Sequence, residues 1–490
     1  MSRRARRVAA LLLGASIAAG TGTAAALTLE PCRLPGVAHE ARCGVVARPL
    51  DPARPDGASV GVHVAVLPAL ARAKRPDPVV FFAGGPGQSA IDLAGHAERL
   101  LGRLRQWRDI VLIDQRGTGR SAALACDDDA LDPAADPAAQ VARLLECRDA
   151  LAQRAPLRSA YDLRHFTTPI AAADVDAVRR ALGAPAVNLV GVSYGTRLAL
   201  EVLRQAPRTV RRAVLDGVAP PDMALPRSFS TDAQAALDAL LAWCADDAGC
   251  RERHPQLPAQ WRALLERLPL DVVRPHPVSG RDETVTLTRP MLLGFVRLAL
   301  YSPVLASALP WAIAEAAEGR WTPLVGLGSA LTAGAAMPAL AVGLHFSVVC
   351  AEDFPRMGQS SDEAGADFGD SLGDLYRRVC DGWPRGDVPP AFYTLSPSPV
   401  PVLLLSGGLD PVTPPRHGER VRAALGSSAR HVVVGHAGHG VLAIGCVRDT
   451  VHRFVDADND ARALAVDADC ARGVPRPPAW QPPDPAGGGR

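Results

Sequence analysis

Along the first half of the chain, apolar residues fall in short unbroken runs, each followed by a stretch whose apolar positions recur every three or four residues. "PVVFFAGGPG" (78–87) reads as a buried strand running into a glycine-rich turn, and "DIVLIDQRGTGRS" (109–121) repeats the scheme. A helix is expected over "TTPIAAADVDAVRRALG", with Thr168 as N-cap, Pro169 in the first turn and Gly183 as the stop. Two more strands follow in "AVNLVGV" and "RRAVLDGV". Strands without polar alternation are buried on both faces, so the pattern predicts an α/β architecture with a mostly parallel central sheet flanked by helices.

From about Pro220 to Phe346 the rhythm changes to alanine- and leucine-rich helical stretches, among them "DAQAALDALLAWCADD" and "RPMLLGFVRLALYSP". Helices without intervening strong strands predict an inserted cap rather than a continuation of the sheet. Strands are expected to resume with "HFSVVCAEDFP" (345–355), "PVPVLLLSGGLDPVTPP" (399–415) and "ARHVVVGHAGHG" (429–440). The expected organisation is a core in two parts, 27–219 and 346–470, around a helical cap at 220–345. A disordered tail is expected at 471–490, where the sequence is rich in Pro and Gly.

The opening "MSRRARRVAALLLGASIAAGTGTAAALTLEPC" carries four arginines, an apolar stretch and a small-residue end at Ala24-Ala25-Ala26. This is the layout of a signal peptide over 1–26, and it predicts export to the periplasm or the extracellular medium. No later segment reads as membrane-spanning. The 10 cysteines suit that destination as disulfides. Neighbours in sequence could pair into five short loops, although spacing alone leaves the connectivity open. Zinc is the weaker reading because no C-x-x-C occurs, and neither metal nor cofactor is expected. A net charge of +2 with a single lysine, Lys74, argues against a nucleic-acid partner. No oligomeric state follows from the sequence.

Candidate chemistry centres on "GVSYGTRLAL", where Ser193 stands between Gly191 and Gly195 at a strand-to-helix turn. With 44 glycines in the chain, G-x-S-x-G is weak by itself; its position after "VNLVGV" and before a helical pattern makes Ser193 a candidate nucleophile. The backbone N–H of Tyr194 at the helix start, with that of Gly85 in "AGGPG", would form an oxyanion hole. His439 in "HAGHG" is the expected base, with His436 as its rival nearer the strand end. Asp410, after "VPVLLLSGGL", is the expected orienting acid, with Asp216 in "VLDGV" as the alternative. Asp410 is preferred because the order Ser193, Asp410, His439 is that of α/β-hydrolases.

Together, "FFAGGPGQSA", "DIVLIDQRGTGRS", "GVSYGTRLAL", "LSGGLDPVTPP" and "GHAGHG" resemble the landmarks of secreted tripeptidyl aminopeptidases and related proline iminopeptidases. The resemblance extends from about residue 30 to 465. It implies the α/β-hydrolase fold with an inserted helical cap, and Ser193, Asp410 and His439 as a catalytic triad acting on a peptide substrate. One departure is Ala83, where many relatives have His before Gly-Gly-Pro-Gly. Asp114 and Arg116 are read as structural, tying the turn beside the oxyanion loop. Relatives carry an acidic residue after the cysteine matching Cys350, which implies Glu352 or Asp353 as the site for a substrate's amine. The leading expectation is an exported serine aminopeptidase. A carboxylesterase using the same triad on an ester, and a non-catalytic binding protein on the same fold, are the alternatives.

Overall fold

The computed structural model describes residues 27–126, 137–275, 280–329 and 340–482. The expected signal peptide, 1–26, lies outside them. The strands are β1 (Glu30–Cys32), β2 (Ala41–Pro49), β3 (Ser59–Leu67), β4 (Val79–Phe82), β5 (Ile110–Ile113), β6 (Val187–Val192), β7 (Val210–Asp216), β8 (Leu270–Pro275), β9 (Asp282–Leu287), β10 (Val402–Gly407) and β11 (Ala429–Val434). Nine of them form one sheet in the order β1-β2-β3-β5-β4-β6-β7-β10-β11. From β5 to β11 every neighbouring pair is parallel, whereas β1, β2 and β3 are antiparallel at one edge.

The apolar runs of β4, β5 and β10 are buried throughout. Their side chains alternate between two cores: Val79 and Phe81 pack with Leu112, Val190 and Leu403 on one face, and Val80 and Phe82 with Val111, Leu189 and Leu404 on the other. The edge strands β1 to β3 were not marked by such runs. β2 alternates buried, half-buried and exposed positions, as an antiparallel strand with one wet face does, and its hydrophobicity is correspondingly diluted.

β4 lies between β5 and β6, so the chain leaves β4 to one side and later returns on the other. At such a reversal the loops after adjacent strands diverge and leave a crevice at their carboxyl ends. The loops after β4 and β6 hold Gly84 to Gly87 and Ser193.

Between β7 and β10 the chain leaves the sheet and forms the cap. Its own core joins Leu237, Leu240, Trp261, Leu292, Val296 and Leu309. Two expectations are corrected here. A short hairpin, β8 with β9, interrupts the helices. The stretch 345–355, expected as a strand that would reopen the core at 346, is instead mostly the helix Val342–Glu352, and the sheet resumes only at Val402. All residues of that helix are buried, so its apolar run lacks the 3.6-residue alternation that distinguishes a helix from a buried strand.

The tail also departs from expectation over its described part, 471–482. Ala479 is buried in the cap core, the Trp480 N–H donates to the Ser307 carbonyl at 3.0 Å, and its ring meets Trp311 edge-on at 4.8 Å. Proline content stiffens a backbone without deciding whether nearby aromatic rings find a surface to bury against. Residues 483–490 lie outside the described residues.

Five disulfides join cysteines that are neighbours in sequence: Cys32–Cys43, Cys126–Cys147, Cys244–Cys250, Cys350–Cys380 and Cys446–Cys470. Among the described residues, no helix is long and apolar enough to cross a membrane.

Candidate active site

Ser193 links β6 to the helix Tyr194–Gln205 with φ +55° and ψ −124°, a conformation side chains rarely adopt. Several contacts hold it there. Its N–H donates to the Asp216 carbonyl at the end of β7 (2.8 Å), and its carbonyl accepts from the Thr196 N–H (2.9 Å) and hydroxyl (2.6 Å). The flanking glycines are needed for space. A Cβ on Gly195 would stand 2.4 Å from the Phe82 carbonyl oxygen, and one on Gly191 would stand 2.4 Å from that of Gly195. With no side chain on either, the helix start sits directly against the end of β4.

The glycine turn after β4 lies beside the serine: a Cβ on Gly84 would be 3.2 Å from that of Ser193. Gly85 has φ +111°, and a Cβ there would meet the Gly87 nitrogen at 2.5 Å, so the turn requires glycine. Tyr194 opens the helix, where first-turn N–H groups have no partner within the helix. Its phenol points away into the fold, hydrogen-bonded to Thr168 Oγ1 (2.7 Å) and Gln115 Nε2 (3.0 Å).

Asp410 follows β10 and is buried. Its Oδ1 accepts from the Val412 and Thr413 N–H groups (2.8 and 2.9 Å); its Oδ2 accepts from Thr413 Oγ1 (2.8 Å) and lies 2.8 Å from His439 Nδ1. Burial alone would raise its pKa. The His439 charge and hydrogen bond, with the two backbone donors, outweigh burial and hold it below the usual carboxylate range. For His439 burial opposes protonation, but the Asp410 charge and hydrogen bond, helped by Asp216, raise its pKa above the ordinary histidine value. Its side chain is 14% exposed. The Nδ1–Asp410 bond fixes the tautomer that leaves Nε2 free to accept a proton.

The end of β7 brings the serine and the histidine to one place. Asp216 receives the Ser193 N–H on its carbonyl, and a Cβ on the next residue, Gly217, would lie 3.1 Å from His439 Cε1. Asp216, the alternative acid, does not pair with the imidazole. Its buried carboxylate accepts the N–H groups of Val441 (2.9 and 3.0 Å) and Leu442 (2.8 Å), and so fixes the loop that carries His439. His436, the rival base, is exposed with Nδ1 at the Val474 carbonyl, 3.0 Å.

Asp114 and Arg116 take up structural positions. Asp114 accepts from Ser89 Oγ and from the Ile91 and Arg120 N–H groups, holding the chain after the glycine turn. Arg116 forks onto Asp174 (2.6 and 2.9 Å) and donates to the Pro49, Leu50 and His165 carbonyls.

Glu352 and Asp353, expected to bind a substrate amine, are both 1% exposed and engaged with the protein itself. Asp353 takes both Arg197 Nη atoms at 3.0 Å and the Leu225 N–H; Glu352 takes the Thr168 N–H (2.6 Å) and hydroxyl (2.9 Å). Burial, only partly offset by Arg197, pushes the Glu352 carboxyl up to about 7. Asp353 therefore anchors the cap base to the Tyr194–Gln205 helix through Arg197, and Glu352 anchors it to Thr168, so that both carboxylates are engaged by the protein rather than left for a substrate amine. Sequence reasoning missed Thr413, Gly217 and Arg197, which have no motif of their own and act only through contacts between distant segments.

Serine, histidine and carboxylate from the ends of β6, β11 and β10, beside two candidate N–H donors, form an arrangement suited to acyl transfer. Comparison with known proteins agrees with this fold. Residues 77–249 match the alpha/beta hydrolase fold family and residues 366–463 the TAP-like protein family. A tripeptidyl aminopeptidase of Streptomyces lividans is 33% identical over 224 residues, which span 42% of this chain but only 41% of that relative's length. Serine protease Hip1 of Mycobacterium tuberculosis is 27% identical over 425 residues, 79% of this chain and 80% of the relative. Among solved structures, an esterase from Exiguobacterium antarcticum is 16% identical, over 81% of this chain and 97% of that one, with a TM-score of 0.34. The alpha/beta hydrolase match and the mostly parallel sheet flanked by helices give the chain the α/β-hydrolase fold, and over residues 366–463 it is similar to the TAP-like protein family.

Proposed function

We propose that the chain is an exported serine aminopeptidase that releases N-terminal residues or short peptides through an acyl-enzyme on Ser193. The observation that carries the reading is the 2.8 Å bond from His439 Nδ1 to the buried Asp410, at the strand ends where Ser193 is held at φ +55°. The name of the Streptomyces relative, a tripeptidyl aminopeptidase, supports peptide substrates, and the five disulfides support export.

In this mechanism Ser193 Oγ attacks the scissile carbonyl and His439 Nε2 takes its proton. Asp410 keeps the imidazole oriented and stabilises the imidazolium. The Gly85 and Tyr194 N–H groups receive the oxyanion, each worth roughly 3 kcal/mol in the transition state. His439 then protonates the leaving amine, and water, deprotonated by the same imidazole, releases the acyl group.

A fluorophosphonate probe tests the nucleophile: wild-type protein is expected to label and Ser193→Ala is not. A peptide-library digest followed by mass spectrometry tests the peptidase assignment. Cleavage near free N-termini, abolished by N-acetylation, is the expected result. Strong turnover of short-chain esters with no amide cleavage would replace the reading by an esterase, and a folded wild-type protein that does not label would overturn the enzyme reading.

A further inference from the structure

The helix Arg289–Leu300 ends directly on the His439 loop. The Tyr301 carbonyl accepts the His439 N–H at 3.0 Å, and its ring meets the imidazole edge-on with centroids 5.1 Å apart. Arg297 precedes Tyr301 by four residues, which puts the two on one face of the helix. The guanidinium lies over the Phe229 ring, 5.1 Å from its centroid.

Two further polar groups stand close to this cation. His345, 7% exposed, bonds the Tyr376 hydroxyl through Nε2 at 2.6 Å. Its Nδ1 has no hydrogen-bond partner of good geometry, although the Pro86 carbonyl of the glycine turn is near. The Arg297 charge opposes protonation of His345 and His439 and favours ionisation of Tyr301 and Tyr376, so it is within electrostatic reach of all four. The cap is held down at this point, since the Ala341 N–H donates to the Gly87 carbonyl at 3.0 Å.

Buried Arg197 and Arg116 have acidic partners in Asp353 and Asp174, and half-buried Arg416 has Asp232. Among the described residues no carboxylate pairs with half-buried Arg297, which lies over the Phe229 ring. A cation removed from water in this way gains most from an anion supplied by a ligand, and a guanidinium fork suits a carboxylate.

We propose that Arg297 binds a carboxylate of the substrate, so that the cap selects short peptides bearing a negative charge near the scissile bond. The inference rests on the reading of Ser193 as nucleophile. An acidic side chain and the free C-terminus of a short peptide present the same group.

Wild-type protein, Arg297→Gln and Arg297→Lys are assayed on four matched peptides: glutamate or glutamine beside the scissile bond, each with a free or amidated C-terminus. Wild type is expected to favour one carboxylate by at least about tenfold in kcat/KM, and the favoured pair identifies its source. Arg297→Gln should bring that ratio close to one, while Arg297→Lys keeps part of it. No charge preference in wild type, or equal losses on all four peptides in Arg297→Gln, would overturn the proposal. Fluorophosphonate labelling of each variant separates the two readings: failure to label wild type defeats the nucleophile, whereas labelling without charge preference defeats only the anion site. If Arg297→Gln does not fold, the wild-type preference and its reduction in Arg297→Lys decide.

Discussion

At the residue scale, His439 is set between opposing influences. Burial would deprotonate it, and Asp410 at 2.8 Å more than compensates. A base must be neutral to accept the Ser193 proton, so a raised pKa moves the acid limb of kcat/KM above pH 6.5, the ordinary histidine value. Activity is expected to be present above that limb and lost as pH falls through it. Asp410→Asn removes both the charge and the correct tautomer; it should lower kcat by about 10⁴-fold and shift the limb downward, because burial then dominates. A pH–rate profile of both proteins checks this, and an unchanged limb in the variant would break the assignment of Asp410 as partner. The candidate triad itself was legible in the sequence because each residue follows an apolar run or glycine-rich turn. Choosing Asp410 over Asp216 from residues alone was a matter of chain order; the structure adds a physical reason, since Asp216 spends its oxygens on the Val441 and Leu442 N–H groups.

At the scale of elements, the serine turn depends on the approach of one helix to one strand. Gly195 and Gly183 separate two roles of glycine. Gly183 has φ +68° with nothing within 4 Å of an added Cβ, whereas Gly195 meets the Phe82 and Ala83 carbonyl oxygens at 2.4 and 2.7 Å. Gly183→Ala should cost only the conformational penalty, about 1 kcal/mol. Gly195→Ala forces backbone apart and should cost about 3 kcal/mol or more, with loss of Ser193 labelling. Denaturant unfolding of the two variants measures the contrast; equal costs would show that the helix start has room to move. Most parallel strands were legible because burial on both faces leaves them continuously apolar. The helix Val342–Glu352 was misread as a strand for that same reason, since burial on every side erases the period that tells the two apart.

At the scale of the molecule, the cap is fastened to the core by side-chain contacts rather than by sheet pairing. Arg197, in the helix that follows Ser193, forks onto Asp353 at the end of the helix Val342–Glu352. Cys350–Cys380 ties that helix to Ser371–Gly382, and these two helices carry His345 and Tyr376. The bridge spans a sequence separation of 30, against 6 for Cys244–Cys250. In the chain-entropy description, replacing both cysteines by alanine should cost about 3.5 kcal/mol for the longer loop and about 2 kcal/mol for the shorter. Denaturant midpoints of the two double variants check the order. The reverse order would mean that local strain, rather than loop length, sets the contribution of these bridges.

The sequence by itself determined the parallel core, the serine turn and the order of the three candidate catalytic residues. Those features are local: an apolar run, two glycines, a residue just past a strand. Tertiary structure decided what depends on distant segments meeting. It paired Glu352 and Asp353 with Thr168 and Arg197 instead of leaving them for a ligand, laid Trp480 on the cap, and brought Arg297 to the histidine loop without a carboxylate beside it. The physical reason is that the environment of a charged side chain is set by its spatial neighbours, and burial and counter-charge exist only once the chain has folded.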